Sequence, residues 1–99
     1  MKIKVLQNEE KTTLTLTGRL DATTSQALQD ALMPHLGKNK HVELDLAKLA
    51  YTSSAGLRVL LMGEKTAKAQ EGRLTLVNVT PEVMEVFEMT GFSGILHFE

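Results

Sequence analysis

Val42-Glu43-Leu44-Asp45-Leu46 alternates apolar and acidic residues without interruption. Successive side chains of a strand point to opposite faces, so Val42, Leu44 and Leu46 share one face and Glu43 and Asp45 the other. Thr12 to Gly18 repeats the pattern, with Leu14 and Leu16 on one side and Thr13, Thr15 and Thr17 on the other. β-branched threonine suits an exposed strand face. A sheet covered on both faces has strands that read as continuous apolar runs. These two strands instead keep one face polar, so the sheet they build has a single buried side.

Outward from these strands the period changes repeatedly. Ile3 and Val5 alternate with Lys2 and Lys4 as a short first strand, and the polar turn Asn8–Lys11 joins it to the second as an antiparallel hairpin. Beyond Gly18, Thr23 or Thr24 caps a helix whose apolar stripe is Ala27, Leu28, Ala31 and Leu32, and Pro34 ends it. After a loop at Gly37–Lys40 and the third strand, a helix starts near Ser53 and runs to about Gln70, nearly all apolar in its first two turns. Arg73–Val79 forms a fourth strand, placed centrally by its Leu and Val content. Thr80 and Pro81 open a third helix with Val83, Met84, Val86 and Phe87 inward, Gly91 stops it, and Ile95–Phe98 adds a short last strand. Strands alternating with helices imply parallel pairing with right-handed crossovers. Strands lying side by side in chain order then put the helices on one face. The expectation is an α/β fold: one domain over 1–99, with a mixed sheet of an N-terminal antiparallel hairpin followed by parallel βα units.

The chain of 99 residues carries 11 Lys+Arg and 12 Asp+Glu, a net charge of −1, which makes no electrostatic case for nucleic acid or an anionic membrane as partner. Without cysteine there is no disulfide or thiolate chemistry, and His35, His41 and His97 lack metal-ligand spacing, so no metal or cofactor is expected. The longest apolar runs are four or five residues, against the roughly 20 that span a bilayer, and the charged start Met1-Lys2-Ile3-Lys4 is unlike a signal peptide. A cytoplasmic domain is expected. Glycines are isolated, so no phosphate loop is present, and nothing resembles a nucleophile elbow; enzymatic activity is not expected. The methionines, Met84 and Met89 among them, read as core filler, and Lys65 and Lys68 as the wet face of the second helix.

In parallel units the loops leaving the strands' carboxyl ends gather along one sheet edge. Two carry polar groups: Gly18-Arg19-Leu20-Asp21-Ala22-Thr23-Thr24 and Tyr51-Thr52-Ser53-Ser54-Ala55-Gly56-Leu57. Adjacent strands bring Asp21 beside Ser53 and Ser54, at a helix start that favours negative charge. Taken alone, the serines read as an N-cap, Gly56 as a packing site and Asp21 as a surface or capping residue.

Leu44-Asp45-Leu46 with Tyr51-Thr52-Ser53-Ser54-Ala55-Gly56-Leu57-Arg58-Val59-Leu60-Leu61 resembles the signature of bacterial anti-sigma factor antagonists, the STAS domains. Gly18-Arg19-Leu20-Asp21 resembles that family's Gly-Glu-Leu-Asp element, and Val79-Thr80-Pro81-Glu82-Val83 with Phe87-Glu88-Met89-Thr90-Gly91-Phe92 its C-terminal helix. The resemblance implies a partner-switching protein. Its partner would be an anti-sigma factor with serine-kinase activity, bound until a serine of the loop is phosphorylated, and a serine phosphatase would reset it. Aligned on Gly56-Leu57, the acceptor is Ser54. The family commonly has Asp just before it, where this chain has Ser53, a second candidate. The implied partner surface takes in Asp21, Thr23, Ser53, Ser54, Gly56, Leu57 and Arg58. Two other functions compete: a non-switching STAS subunit, the structural partner of a lipid-transport ATPase or a signalling scaffold, and a small ligand- or nucleotide-binding domain.

Overall fold

A computed structural model describes all residues from Met1 to Glu99. Its elements are β1 (Lys2–Gln7), β2 (Thr12–Leu20), α1 (Ser25–Leu32), β3 (His41–Thr52), α2 (Ser54–Ala69), β4 (Arg73–Val77) and α3 (Pro81–Thr90), with 3-10 turns at Met33–His35 and Phe92–Gly94. The four strands lie in chain order, β1-β2-β3-β4. β1 pairs antiparallel with β2, and β3 runs parallel to both its neighbours. This is the mixed sheet that the alternating strands imply. The Asn8 side chain closes the first hairpin by accepting from the amides of Glu10 and Lys11 at 2.8 and 2.9 Å.

Leu14, Leu16, Val42, Leu44 and Leu46 are all fully buried, and Thr13, Thr15, Glu43 and Asp45 are only half-buried on the other side. The inward leucines join Leu28 and Leu32 of α1, Leu57 and Leu60 of α2 and Val83 and Phe87 of α3 in one hydrophobic core of 19 residues. Burial of this apolar surface is the dominant favourable contribution to the fold.

Several elements depart from the expectation. β2 and β3 run on to Leu20 and Thr52, so Gly18–Leu20 and Tyr51–Thr52 are strand rather than loop. The alternation that marks these strands breaks at irregularities between Thr15 and Thr17 and between Gly18 and Arg19, with Gly18 at φ +111°, a value that only glycine adopts freely. β4 lies at the sheet edge, not the centre. Its burial has another source: the Leu76 amide donates to His97 O at 2.8 Å, and the Glu99 amide to Leu76 O at 3.0 Å, so the chain's last residues cover the edge. The expected strand at Ile95–Phe98 reduces to the single bridge between Leu76 and Phe98. Ala27 is exposed; of the α1 stripe, Leu28 and Leu32 are buried in the core and Ala31 packs half-buried against it. Met89 is 79% exposed, so Met84 packs on the core but Met89 does not.

Two histidines are tied into the fold. His41 Nε2 lies 2.9 Å from Thr75 Oγ1, and partial burial and then the Arg73 guanidinium hold its pKa below the ordinary histidine value. His97 Nε2 lies 3.3 Å from Glu64, a carboxylate buried on α2.

Phe87, fully buried, sets its ring centre 5.8 Å from that of Phe98 at a 47° tilt and so ties α3 to the C-terminal segment. Phe87→Ala should lower the unfolding free energy by about 3–5 kcal/mol, a large part of what a domain of this size holds. Urea unfolding followed by circular dichroism measures it, and a loss under ~1 kcal/mol would mean that the space refills.

Candidate functional site

The site lies where the carboxyl ends of β2 and β3 meet the start of α2. Leu20 is paired with Thr52, and the Ser53 amide donates to Leu20 O at 2.9 Å, so the residues after each strand leave the sheet side by side. The chain then turns directly into α2. This close entry depends on Gly56. A Cβ there would come within 2.5 Å of Thr52 Oγ1 and 2.6 Å of Leu20 Cγ. The packing role read from the sequence for Gly56 is therefore seen in the structure.

Three consecutive hydroxyls pass from inside to outside. Thr52 is 2% exposed, Ser53 is half-buried and Ser54 is exposed. Ser53 occupies the N-cap position in extended conformation (φ −100°, ψ 178°), yet its hydroxyl makes no capping bond, and Ser53 Oγ is buried with no partner. The expected serine cap is thus absent. Ser54 is the first helical residue, in a turn with no acidic side chain. The first amides of a helix have no partner within it, and with the macrodipole they favour an anion on an exposed Ser54 side chain.

Asp21 is committed to the neighbouring turn. Its Oδ1 accepts from the Thr23 amide at 2.9 Å and the Thr23 hydroxyl at 2.7 Å. Thr24 holds the N-cap position of α1 without a side-chain cap; its hydroxyl accepts from the Asp21 amide at 2.9 Å and donates to Arg19 O at 2.9 Å. Bonds from Thr23, outweighing a small burial effect, hold the Asp21 pKa below its ordinary value of 3.8, with Arg19 adding a weaker pull. The Arg19 guanidinium lies 4.3 Å from the centre of the Tyr51 ring and 3.9 Å from Asp21 Oδ2. The carboxylate thus organises the turn beside the serines while one oxygen faces outward toward Arg19.

On α2, Ser54, Leu57, Arg58 and Leu61 are spaced i, i+3, i+4, i+7 and share one face. With Thr90 at the end of α3 and Phe92 in the 3-10 turn after it, they line an open, mostly apolar groove. Leu57 is 6% exposed and forms its floor; Gly56 is buried beneath the helix. Of the predicted residues, Ser54, Leu57 and Arg58 thus meet in one groove, Asp21 and Thr23 share the adjoining turn, and Ser53 and Gly56 lie behind. Leu61, Thr90 and Phe92 were not foreseen. The heptad-like spacing marks Leu61, but Phe92 joins only through the packing of α3. No group of His, Cys, Asp and Glu is placed to hold a metal, and no helix is long and apolar enough to cross a membrane.

The four-stranded mixed sheet with three helices is the architecture of a STAS domain. The family model described as "Mlab, STAS domain" matches residues 3–97, and the chain belongs to that family. Within it, the chain is 40% identical over 81 residues to BtrV of Bordetella bronchiseptica, whose name assigns it to the anti-sigma factor antagonists, covering 81% of this chain and 70% of that protein. It is 27% identical over 96 residues to the anti-sigma-B factor antagonist of Bacillus subtilis, covering 97% and 88%. The fold is that of the anti-sigma factor antagonist SpoIIAA in its unphosphorylated form (TM-score 0.79, 17% identity, covering 99% and 88%) and of SpoIIAA in its phosphorylated form (TM-score 0.73, 17% identity, 99% and 91%).

Two outcomes test this geometry. Gly56→Ala should destabilise the protein by about 1–3 kcal/mol, since Leu20 and Thr52 must shift to admit the methyl group; thermal unfolding reads it, and an unchanged melting temperature would contradict the close approach. Asp21 stabilises the folded chain above its ordinary pKa, and that contribution is lost as pH falls through its lowered folded value. Carbon-detected NMR should place the Asp21 midpoint below 3.8, and Thr23→Ala should raise it.

Proposed function

We propose that this protein is an anti-sigma factor antagonist switched by phosphorylation of Ser54. In this reading the unmodified chain docks on an anti-sigma factor with serine-kinase activity and so frees the sigma factor. Transfer of a phosphoryl group to Ser54 ends the docking, and a serine phosphatase restores it. The single observation that carries this reading is the contrast between the two serines: Ser54 is exposed at the start of α2, and Ser53 Oγ is buried. A kinase must reach the hydroxyl it modifies. The relatives named as anti-sigma factor antagonists, and the SpoIIAA fold known with and without phosphate, support the same assignment.

The site suits the role physically. An exposed phosphate at a helix start is locally tolerated, yet it adds about −1.5 to −2 charges to the rim of an apolar groove. A partner covering that groove would have to desolvate the phosphate or meet it with acidic groups of its own, and either weakens binding. Asp21 and Thr23, one strand over, extend the docking surface.

The test is incubation with a candidate anti-sigma factor kinase and ATP, followed by intact mass and peptide mapping, with complex formation read on a sizing column. Wild type should gain one phosphate at Ser54 and lose its complex. Ser54→Ala should bind without being modified, and Ser54→Asp should bind at least tenfold more weakly. Phosphorylation of Ser54→Ala at the wild-type level would move the acceptor to Ser53. No phosphate and no complex with the kinase would remove the reading.

A further inference from the structure

The cations around the serine pair differ in one respect. The structure holds four ion pairs, Lys11–Glu43, Arg19–Asp21, Lys38–Glu71 and His97–Glu64, and one guanidinium stacked on a ring, Arg19 on Tyr51. Arg58 belongs to none of them. It is exposed, and it lines the same groove as Ser54, one helical turn further along α2. The groove's other lining residues, Leu57, Leu61, Thr90 and Phe92, carry no charge.

We propose that Arg58 is the group through which a phosphate on Ser54 acts: phosphoserine at position 54 pairs with the Arg58 guanidinium of its own helix and withdraws the cation that an acidic group of the partner meets in the groove. The proposal rests on Ser54 being the acceptor. An anion four residues before a cation is the favourable orientation of an i, i+4 helix pair, because it also agrees with the macrodipole. Guanidinium and phosphate oxygens match in a two-pronged geometry that a lysine does not reproduce. Arg19 is the other cation at this edge, but Tyr51 and Asp21 already engage it, and the Asp21 carboxylate beside it would repel a second anion. The occupant implied for the groove is a partner segment with an apolar side chain, set over Leu57, Leu61 and Phe92, and a carboxylate opposite Arg58. Charge complementarity picks this chemistry, since the sole charge lining the groove is positive.

The experiment installs phosphoserine at position 54 of the full chain during translation and follows the phosphate by phosphorus NMR against pH. The second pKa of phosphoserine is ordinarily near 6. In the wild-type background it should lie about 0.2–0.7 unit lower than in Arg58→Gln, the range expected of an exposed ion pair. Lys65→Gln, about two turns beyond Arg58 on α2, should leave it unchanged. Equal values in wild type and Arg58→Gln would overturn the pairing, and an equal effect of Lys65→Gln would reduce it to a general field. This measurement needs neither kinase nor partner, so it separates failure of the pairing from failure of the phosphorylation reading. With an anti-sigma factor kinase that binds the wild-type chain, Arg58→Gln should weaken binding of the unphosphorylated protein at least tenfold, and phosphoserine should then weaken it by a smaller factor than in wild type. The same factor in both backgrounds would show that phosphate acts without Arg58.

Discussion

The close approach of α2 to the paired ends of β2 and β3 is the contact on which the rest of the site depends. Ser53 is bonded through its amide to Leu20, and Gly56 leaves open the space that Leu20 and Thr52 occupy. With any larger residue at 56 the helix would have to lift from the sheet, carrying its first turn away from the Asp21 turn. Lifting would also uncover Leu57 and Leu60, which seal the core beneath α2. One absent side chain thus couples the stability of the domain to the placement of its exposed serine.

The same contact gives neighbouring hydroxyls different chemistry. Thr52 ends a strand and its side chain faces the core, where its hydroxyl reaches Ser53 O at 3.3 Å. Ser53 is turned inward at the helix entry, and its oxygen remains without a partner. A buried hydroxyl lacking a hydrogen bond destabilises a fold by about 1–3 kcal/mol. The entry of α2 is therefore held by packing and by the backbone bond to Leu20, not by a side-chain cap. Ser54 emerges beyond that constraint, in the first turn of a helix that presents no acidic residue against an incoming anion.

Much of this was legible in the chain. Val42–Leu46 and Thr12–Gly18 dictate a one-sided sheet because their sequences alternate apolar and polar residues, even though the pairing register shifts beyond Thr15, and both strands lie in its middle. Thr80, Pro81 and Gly91 mark α3 correctly, since the Thr80 hydroxyl accepts from the Val83 amide and Gly91 adopts φ +82°. Local pattern fails where burial is decided at a distance. β4 reads as central from its Leu and Val content, but it lies at the edge, where α2, His41 and the final residues supply the cover that buries Leu74, Thr75 and Leu76. Ser53 reads as a cap because capping is what serine does at most helix starts; the tight entry beside Gly56 turns its oxygen inward instead. Of the groove, Ser54, Leu57 and Arg58 lie on a single helix face and are visible from spacing. Phe92 reaches the groove only through the packing of a helix that follows two elements later.

The strength of an ion pair between Arg58 and a phosphate depends on what covers it. With the groove open to water, such a pair contributes about 0.2–1 kcal/mol and shifts little by itself. Covered by a partner, the same guanidinium is desolvated, and losing its carboxylate opposite then costs about 2–5 kcal/mol. Breaking the pair with phosphate costs an incoming carboxylate no more than the pair's own strength of about 0.2–1 kcal/mol, so the larger part of the weakening comes from the phosphate's repulsion of the partner's anion and its desolvation under the covered groove. The coupling is reciprocal: whatever factor the phosphate takes from partner affinity, the bound partner exerts against retaining the phosphorylated form. Under the proposed switch, release after phosphoryl transfer would follow from one side chain on the surface of α2 meeting one anion in place of another.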